Sequence, residues 1–99
     1  MFAMEDLEVH YGKTIEINNT TFTLEKHEDL SGVSAVWEND SYLIYATPMF
    51  ENVPVPIQII DINGQEIGVD SYPAEVDNYE LYCKIVKALA GKILRRPQR

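Results

Sequence analysis

The chain has a single cysteine and no long apolar run, and each of these absences excludes a class of protein. Cys83 cannot form an internal disulfide by itself, which is typical of a protein kept in a reducing cytosol. The purely apolar runs are only a few residues long, too short to span a membrane. No basic segment precedes an apolar stretch at the N-terminus, so we expect no signal peptide. We therefore expect a cytoplasmic protein without a membrane partner.

Residue patterns typical of catalytic and metal sites are also scarce. His10 and His27 do not belong to a zinc-binding spacing, and one cysteine cannot build a tetrahedral thiolate site. The sequence contains no Gly-rich phosphate loop and no nucleophile elbow. The stretch from Asp61 to Glu66 partly matches a calcium loop but lacks the remaining ligands, so a hairpin turn explains it better. We expect no enzyme activity, no metal and no cofactor.

Positive charge is nearly absent from the first four fifths of the chain. All sixteen acidic residues lie at or before Glu80, and residues 1–80 contain only Lys13 and Lys26, which gives a formal charge of −14. Residues 81–99 carry six basic residues and no acid. An acidic body of this kind repels nucleic acid and anionic membranes and attracts a basic partner at low ionic strength. The alternative is that the acids serve only solubility.

The residues that follow Val76 predict the only strong helix, from about residue 75 to residue 95. Asp77 is a candidate N-cap with Glu80 three residues later, which is the spacing of a capping box. Val76 and Leu81 would then form a hydrophobic staple. Spacings of three and four produce one broad apolar stripe on this helix, formed by Tyr82, Ile85, Val86, Leu89 and Ile93.

Two positions are candidates for the end of this helix. Pro97 cannot continue a helix, and it biases Arg96 away from the helical region. Gly91 costs about 1 kcal/mol relative to alanine in a helix interior, so the helix could also end there. In either case a short basic tail follows, over residues 96–99 in the longer version. Its cations could contact phosphates, but the acidic body opposes that interpretation.

Alternation of apolar and polar residues predicts short strands through residues 1–70. Tight turns are expected at Asn18–Asn19 and Asn63–Gly64, a charged loop at 27–32 and a proline-bounded loop at 49–56. The predicted strands cover residues 7–11, 15–17, 21–25, 33–37, 42–47, 57–62 and 66–69, and the strand at 57–62 is apolar on both faces, as in a central strand. The whole pattern predicts a single α+β domain over residues 1–99, an antiparallel β-meander of about five to seven strands with one C-terminal helix packed on one face.

Two features of this predicted body favour a binding protein. The outward-facing acids on strands and turns could form rows that resemble the phosphate spacing of nucleic acid, although a solvated polar face is the simpler interpretation. Aromatic residues beside acids at turns are typical of interface anchors, whereas we expect Trp37 to belong to the core. The candidate partner-binding residues are Glu8, Glu16, Glu25, Glu28, Asp29, Glu38, Asp40, Tyr42 and Phe50.

These features predict a non-enzymatic acidic inhibitor that blocks a basic, nucleic-acid-handling protein without contacting nucleic acid itself. In size, charge and strand content the chain is similar to phage-encoded inhibitors of host defence proteins and to immunity proteins that neutralise toxins. An alternative is an accessory subunit that packs against itself or another chain through the helix flank around Tyr79, Cys83 and Ala90. A third hypothesis is a small enzyme for a cationic substrate, which needs acids clustered in a pocket.

Overall fold

A computed structural model describes residues 1–96, which form one six-stranded antiparallel sheet and one long helix. The strands lie side by side in chain order, so every connection in the sheet is a hairpin or a short excursion. This arrangement confirms the predicted α+β meander with a C-terminal helix. The elements are β1 (Thr14–Ile17), β2 (Thr20–Asp29), β3 (Gly32–Glu38), β4 (Tyr42–Tyr45), β5 (Val55–Asp61), β6 (Glu66–Tyr72) and α1 (Tyr79–Leu94), with a 3₁₀ helix at Met4–Leu7.

The sheet curls around α1, because the helix contacts both edge strands, β1 and β6, as well as β5. The main core fills the space between the helix and the concave face of the sheet. Trp37 and Tyr82 are its largest fully buried side chains, and every residue of the predicted helical stripe except the half-buried Leu89 is buried there. Ile57 and Ile59 of β5 are buried beneath the helix, as the sequence predicts for this central strand.

Both predicted tight turns are present. Asn18 and Asn19 have φ of 51° and 66°, the left-handed conformation that a two-residue hairpin between right-twisted strands requires. At the second turn, Gly64 has a positive φ, and the Asp61 carboxylate accepts hydrogen bonds of 2.9 Å from the backbone N–H groups of Asn63 and Gln65. The strand that follows runs to Tyr72, three residues beyond its predicted end.

The strand predicted for residues 7–11 is wrong. These residues follow a 3₁₀ turn in which the Asp6 carboxylate accepts a hydrogen bond of 2.8 Å from the Ala3 N–H. Leu7 is fully buried, but Val9 is 80% exposed, so the apparent alternation does not correspond to one buried face. The Phe2 N–H donates to the Val76 carbonyl at 3.0 Å, which joins this segment to the approach to the helix.

The predicted loops at 27–32 and 49–56 are shorter than expected. Residues 27–29 continue β2 and pair with 32–34 of β3 across a two-residue turn. That turn is stabilised by the Asp29 carboxylate, which accepts a hydrogen bond of 2.7 Å from the Ser31 N–H, and by Gly32, which has a φ of 130°. Pro56 lies inside β5 because its missing N–H falls on the side of that strand that β4 no longer covers.

The helix begins later than the sequence suggests. Its N-cap is Asn78, not Asp77: the Asn78 side chain accepts a hydrogen bond of 2.9 Å from the Leu81 N–H. Val76 is therefore one residue too early to form the predicted staple with Leu81, although it is buried in the core. The helix continues through Gly91 to Leu94. Of the basic tail predicted at 96–99, residues 97–99 lie outside the described residues.

Candidate functional site

The face of the sheet that points away from α1, here called the outer face, carries charge of nearly one sign. Residues opposite each other on neighbouring strands share a face, and the side alternates along each strand. Within residues 1–96, every charged strand side chain on the outer face is a carboxylate except that of His27. These carboxylates belong to Glu16, Glu25, Asp29, Glu38 and Glu66.

The middle of the outer face is apolar and partly aromatic. Val36 is fully buried although it lies on the side of β3 away from the main core, and it is paired with Glu25 on β2 and Tyr45 on β4. Leu43 and Ile60 form the next cross-strand pair and are half-buried. An apolar centre with charged residues around it is the usual composition of a protein-binding surface.

His27 and Glu38 form the most organised polar contact on the outer face. The distance from His27 Nε2 to Glu38 Oε1 is 2.7 Å, and the imidazole ring lies edge-on to Tyr45 with ring centroids 6.4 Å apart. This pair lines a shallow polar depression together with Glu25, Asp40 and one cation, Lys26. The sequence did not suggest His27 or Tyr45 as site residues, because their positions became meaningful only once the register of β2 and β4 was known.

Asp40 projects from the β3–β4 turn beside this depression. The Asn39 side chain accepts hydrogen bonds of 2.8 Å and 2.9 Å from the N–H groups of Ser41 and Tyr42, which fixes the turn and leaves Asp40 exposed. Four of the nine candidate residues therefore share the outer face (Glu16, Glu25, Asp29 and Glu38), and Asp40 borders it.

Three other candidates lie on the helix side of the sheet. Glu8 follows the 3₁₀ turn and forms an ion pair of 3.3 Å with Lys26. Glu28 alternates with Asp29 and so projects to the side opposite the outer face. Tyr42 packs against the main core. The sequence-based expectation that the acids face outward together is therefore wrong for Glu8, which follows the 3₁₀ turn at residues 4–7, and for Glu28, because of the alternation along β2.

The exposed cations of α1 lie on the opposite side of the molecule from the outer face. Lys84, Lys87 and Lys92 are exposed on the helix, whereas the Arg95 guanidinium donates a hydrogen bond of 3.2 Å to the Asn18 side chain. In the described part of the chain the Lys26 ammonium forms an ion pair with Glu8 and the His27 imidazole contacts Glu38, and neither contact involves a helix cation. The acidic outer face is therefore not neutralised by the cations of the helix.

At the helix flank around Tyr79, Cys83 and Ala90, the chain's own N-terminal segment packs against Tyr79. The His10 ring stacks on the Tyr79 ring with centroids 3.6 Å apart, and the Lys13 ammonium lies 5.6 Å from the same ring. Ala90 is fully buried. Burial raises the pKa of the Cys83 thiol, which keeps it protonated and unreactive at neutral pH.

Phe50 lies in a small hairpin at residues 49–54, at the end of the outer face that carries Asp29. It pairs with Val53 across Glu51 and Asn52, which have φ of 51° and 65°. The Phe50 side chain is 54% exposed and lines a cleft of about 470 Å³ beside the end of β4. Phe50 thus belongs to a cleft that shares Asp29 and Tyr45 with the outer face.

Neither the helices, nor the arrangement of possible metal ligands, nor comparison with known proteins assigns a function to these surfaces. Within residues 1–96, neither α1 nor the 3₁₀ helix has the length and apolar character needed to cross a membrane. The same residues contain no group of three His, Cys, Asp or Glu side chains arranged to hold a metal ion. No protein-family model, no curated protein and no solved structure matches the chain.

Proposed function

We propose that this chain is a non-enzymatic binding protein that blocks a basic protein partner through its outer face. The observation that carries this proposal is the composition of that face: five strand carboxylates share it with the apolar side chains around Val36 and Tyr45, and no lysine or arginine occurs among the described strand residues on the same side. Five strand carboxylates share the outer face, whereas Lys84, Lys87 and Lys92 are exposed on α1 at the opposite side, and this separation produces a directional field.

The two parts of this face perform different tasks in binding. Surface carboxylates accelerate encounter with a basic partner, and this effect falls as salt screens charges over a Debye length of about 8 Å at physiological ionic strength. The half-buried apolar side chains near Val36, those of Leu43, Tyr45 and Ile60, contribute affinity that salt does not screen. Raising the salt concentration should therefore slow association with such a partner, whereas the dissociation rate should change less than the association rate.

A nucleic-acid-handling target suits this face, because such proteins expose lysines and arginines that normally contact phosphates. Carboxylates on neighbouring strands, which are roughly 4.8 Å apart, can occupy those cations and exclude the nucleic acid. The chain's similarity in size and charge to phage-encoded inhibitors and immunity proteins makes host defence proteins and toxins the first targets to test.

The proposal is tested by capturing partners from a lysate of the organism that encodes the chain, in parallel at about 50 mM and 500 mM salt, a range over which charge screening changes strongly. We expect a basic protein that is retained at low salt and released as salt rises. Its identity then permits a competition assay between this chain and nucleic acid. A partner that is acidic, or a basic one whose binding does not depend on salt, would overturn the electrostatic mechanism.

One observation favours an accessory subunit as the alternative. Leu30, Phe50 and Val69 are large apolar side chains that are more than half exposed, and an obligate partner could cover them. This alternative predicts an assembly whose mass in analytical ultracentrifugation stays the same in high salt, whereas the proposed function predicts a monomer when the partner is absent.

A further inference from the structure

The cleft beside Phe50 exists because β4 ends before its two neighbours do. β4 ends at Tyr45, whereas β3 extends to Gly32 and β5 begins at Val55, so both neighbours continue past the end of β4. The chain stays beside β3 for two more residues and then turns into the 49–54 hairpin, which is closed by a hydrogen bond of 2.9 Å from the Met49 N–H to the Pro54 carbonyl. The cleft of about 470 Å³ occupies the place that a longer β4 would fill.

One backbone edge of this cleft can pair with another strand. Ala35 directs both its N–H and its carbonyl toward the β4 side, where they bond to Thr47 Oγ1 at 3.1 Å and to the Ala46 N–H at 2.9 Å. Because these directions alternate along a strand, the N–H and carbonyl of Val33 also point into the cleft. Across the cleft, Pro56 has no N–H to offer. The open hydrogen-bonding edge of the cleft is thus that of β3.

The cleft is also lined by exposed apolar side chains. Val33 is 40% exposed, Phe50 54% and Val69 56%, and Leu30 is fully exposed at the adjoining β2–β3 turn. An isolated exposed apolar residue is ordinary on a protein surface, but a group of them around one concave site is typical of a binding site.

The charge around the cleft has a single sign. Asp29, Glu51 and Asp70 line it, and none of the described lining residues is Lys, Arg or His. Within residues 1–96, neither the Lys26–Glu8 ion pair nor the His27–Glu38 contact involves these three carboxylates. Asp29 and Asp70 each accept one local backbone hydrogen bond and retain further acceptor positions.

We propose that this cleft binds an extended, cationic segment of a partner protein by adding it as a short strand beside β3. The backbone of the segment pairs with Val33, its apolar side chains pack against Phe50 and Val69, and its lysines or arginines lie over the acidic rim. The inference rests on the proposed function only for the sign of the partner's charge. It adds a contact site at the end of the outer face, which shares Asp29 and Tyr45 with that face but does not include Glu16 or Glu25.

The probe is a synthetic hexapeptide of alternating lysine and valine with blocked ends, titrated into the isotope-labelled full chain and followed by NMR. We expect chemical-shift changes centred on Val33, Phe50 and Val69. Phe50→Ala combined with Val69→Ala should weaken binding about tenfold, the effect of losing a little over 1 kcal/mol of contact. The matched control is Ile62→Ala, because Ile62 is 66% exposed and lies outside the cleft lining. Equal affinity for the cleft variant and the control would overturn the proposal.

Two further peptides test the charge and the strand pairing. A glutamate–valine peptide should not bind detectably, and equal binding of that peptide would overturn the cationic specificity. In the lysine–valine peptide, N-methylation of the lysine backbone amides and N-methylation of the valine backbone amides should weaken binding to different extents. Only one of the two sets of backbone N–H groups can face Val33. Equal affinity of the two methylated peptides would overturn strand addition.

The same titration separates this inference from the proposed function. Glu16→Lys combined with Glu25→Lys leaves the cleft intact, so peptide binding should change by less than about twofold at high salt, where long-range charge effects are screened. If that variant still captures the partner but the cleft variant fails to bind peptide, the cleft inference stands and the outer-face mechanism fails. If the Glu16→Lys and Glu25→Lys variant loses the partner and the wild-type chain does not bind the peptide, the outer-face mechanism stands and the cleft inference fails.

Discussion

The indole Nε1 of Trp37 donates a hydrogen bond of 3.1 Å to the Tyr82 hydroxyl, which in turn donates one of 2.6 Å to the Ala46 carbonyl. These two bonds connect the middle of β3, the first turn of α1 and the residue that follows β4. All three groups are buried, so each would lose solvation without a partner. The connection holds the helix over the strands that form the outer face and the cleft.

Replacing Tyr82 with phenylalanine should lower the free energy of unfolding by about 1–3 kcal/mol, because the Trp37 N–H and the Ala46 carbonyl lose their partner inside the core. Urea denaturation followed by the fluorescence of Trp37 measures the change. Tyr72→Phe is the matched control, since the half-buried Tyr72 has no side-chain hydrogen bond among residues 1–96. Similar losses for the two variants would contradict the assigned role of Tyr82.

Replacing Asn18 with glycine should destabilise the protein by about 1 kcal/mol more than replacing Asn19 with glycine. Glycine suits the positive φ at both positions, so the difference isolates the Asn18 side chain. That side chain donates a hydrogen bond of 3.0 Å to the Gly91 carbonyl and accepts one from Arg95. Thermal unfolding of the two variants provides the comparison, and equal midpoints would show that this contact between β1 and α1 contributes nothing measurable.

Replacing Gly68 with alanine should destabilise the protein by about 1–3 kcal/mol through overpacking. An added Cβ at this position would lie 2.7 Å from the Cγ2 methyl of Ile93, which is fully buried where α1 crosses β6. In an Ile93→Ala background the same substitution should cost much less, because the obstructing methyl is gone. A penalty that is unchanged in that background would mean that the close approach of helix and strand does not explain the glycine.

The Cys83 thiol should react slowly with alkylating reagents at pH 8 and should become reactive only at higher pH than an ordinary thiol. Burial raises its pKa, although a hydrogen bond from Tyr79 and the charges of Lys87 and Lys13 act in the opposite direction. The pH profile of alkylation, measured on the native chain and on the chain in concentrated urea, gives the comparison. A native profile shifted to lower pH would contradict the protected environment and reopen a reactive role for Cys83.

Local patterns predicted much of the fold because they depend on residues close in sequence. The apolar stripe from Tyr82 to Ile93 identified α1, and the asparagine pair at 18–19 identified a hairpin whose geometry requires positive φ. The same reasoning failed at residues 7–11, where two apolar residues in alternation occupy different environments: Leu7 is buried and Val9 is exposed. Period-two alternation over so few residues does not distinguish a strand from a capped 3₁₀ turn.

The candidate surfaces were less predictable because they depend on register and relative strand length. Glu25 and Glu28 look equivalent in sequence, yet three residues of alternation place them on opposite faces of β2. The cleft depends on β4 ending before β3 and β5. The sequence predicted a strand that ends at residue 47, close to the end of β4, but nothing local to it showed how far the two neighbours continue.

Because Glu25 and Glu28 lie on opposite faces of β2, reversing charge on each face separately is the most direct test of binding through the outer face. Glu16→Lys with Glu25→Lys changes the outer face, whereas Glu28→Lys with Glu75→Lys changes the net charge equally at exposed positions that are not on that face. Affinity for the captured basic partner is measured by calorimetry for both double variants at physiological salt. We predict a loss of at least about tenfold for the outer-face pair and less than about threefold for the control pair, because close charge pairs at an interface contribute more than long-range net charge. Equal losses for the two pairs would contradict binding through the outer face.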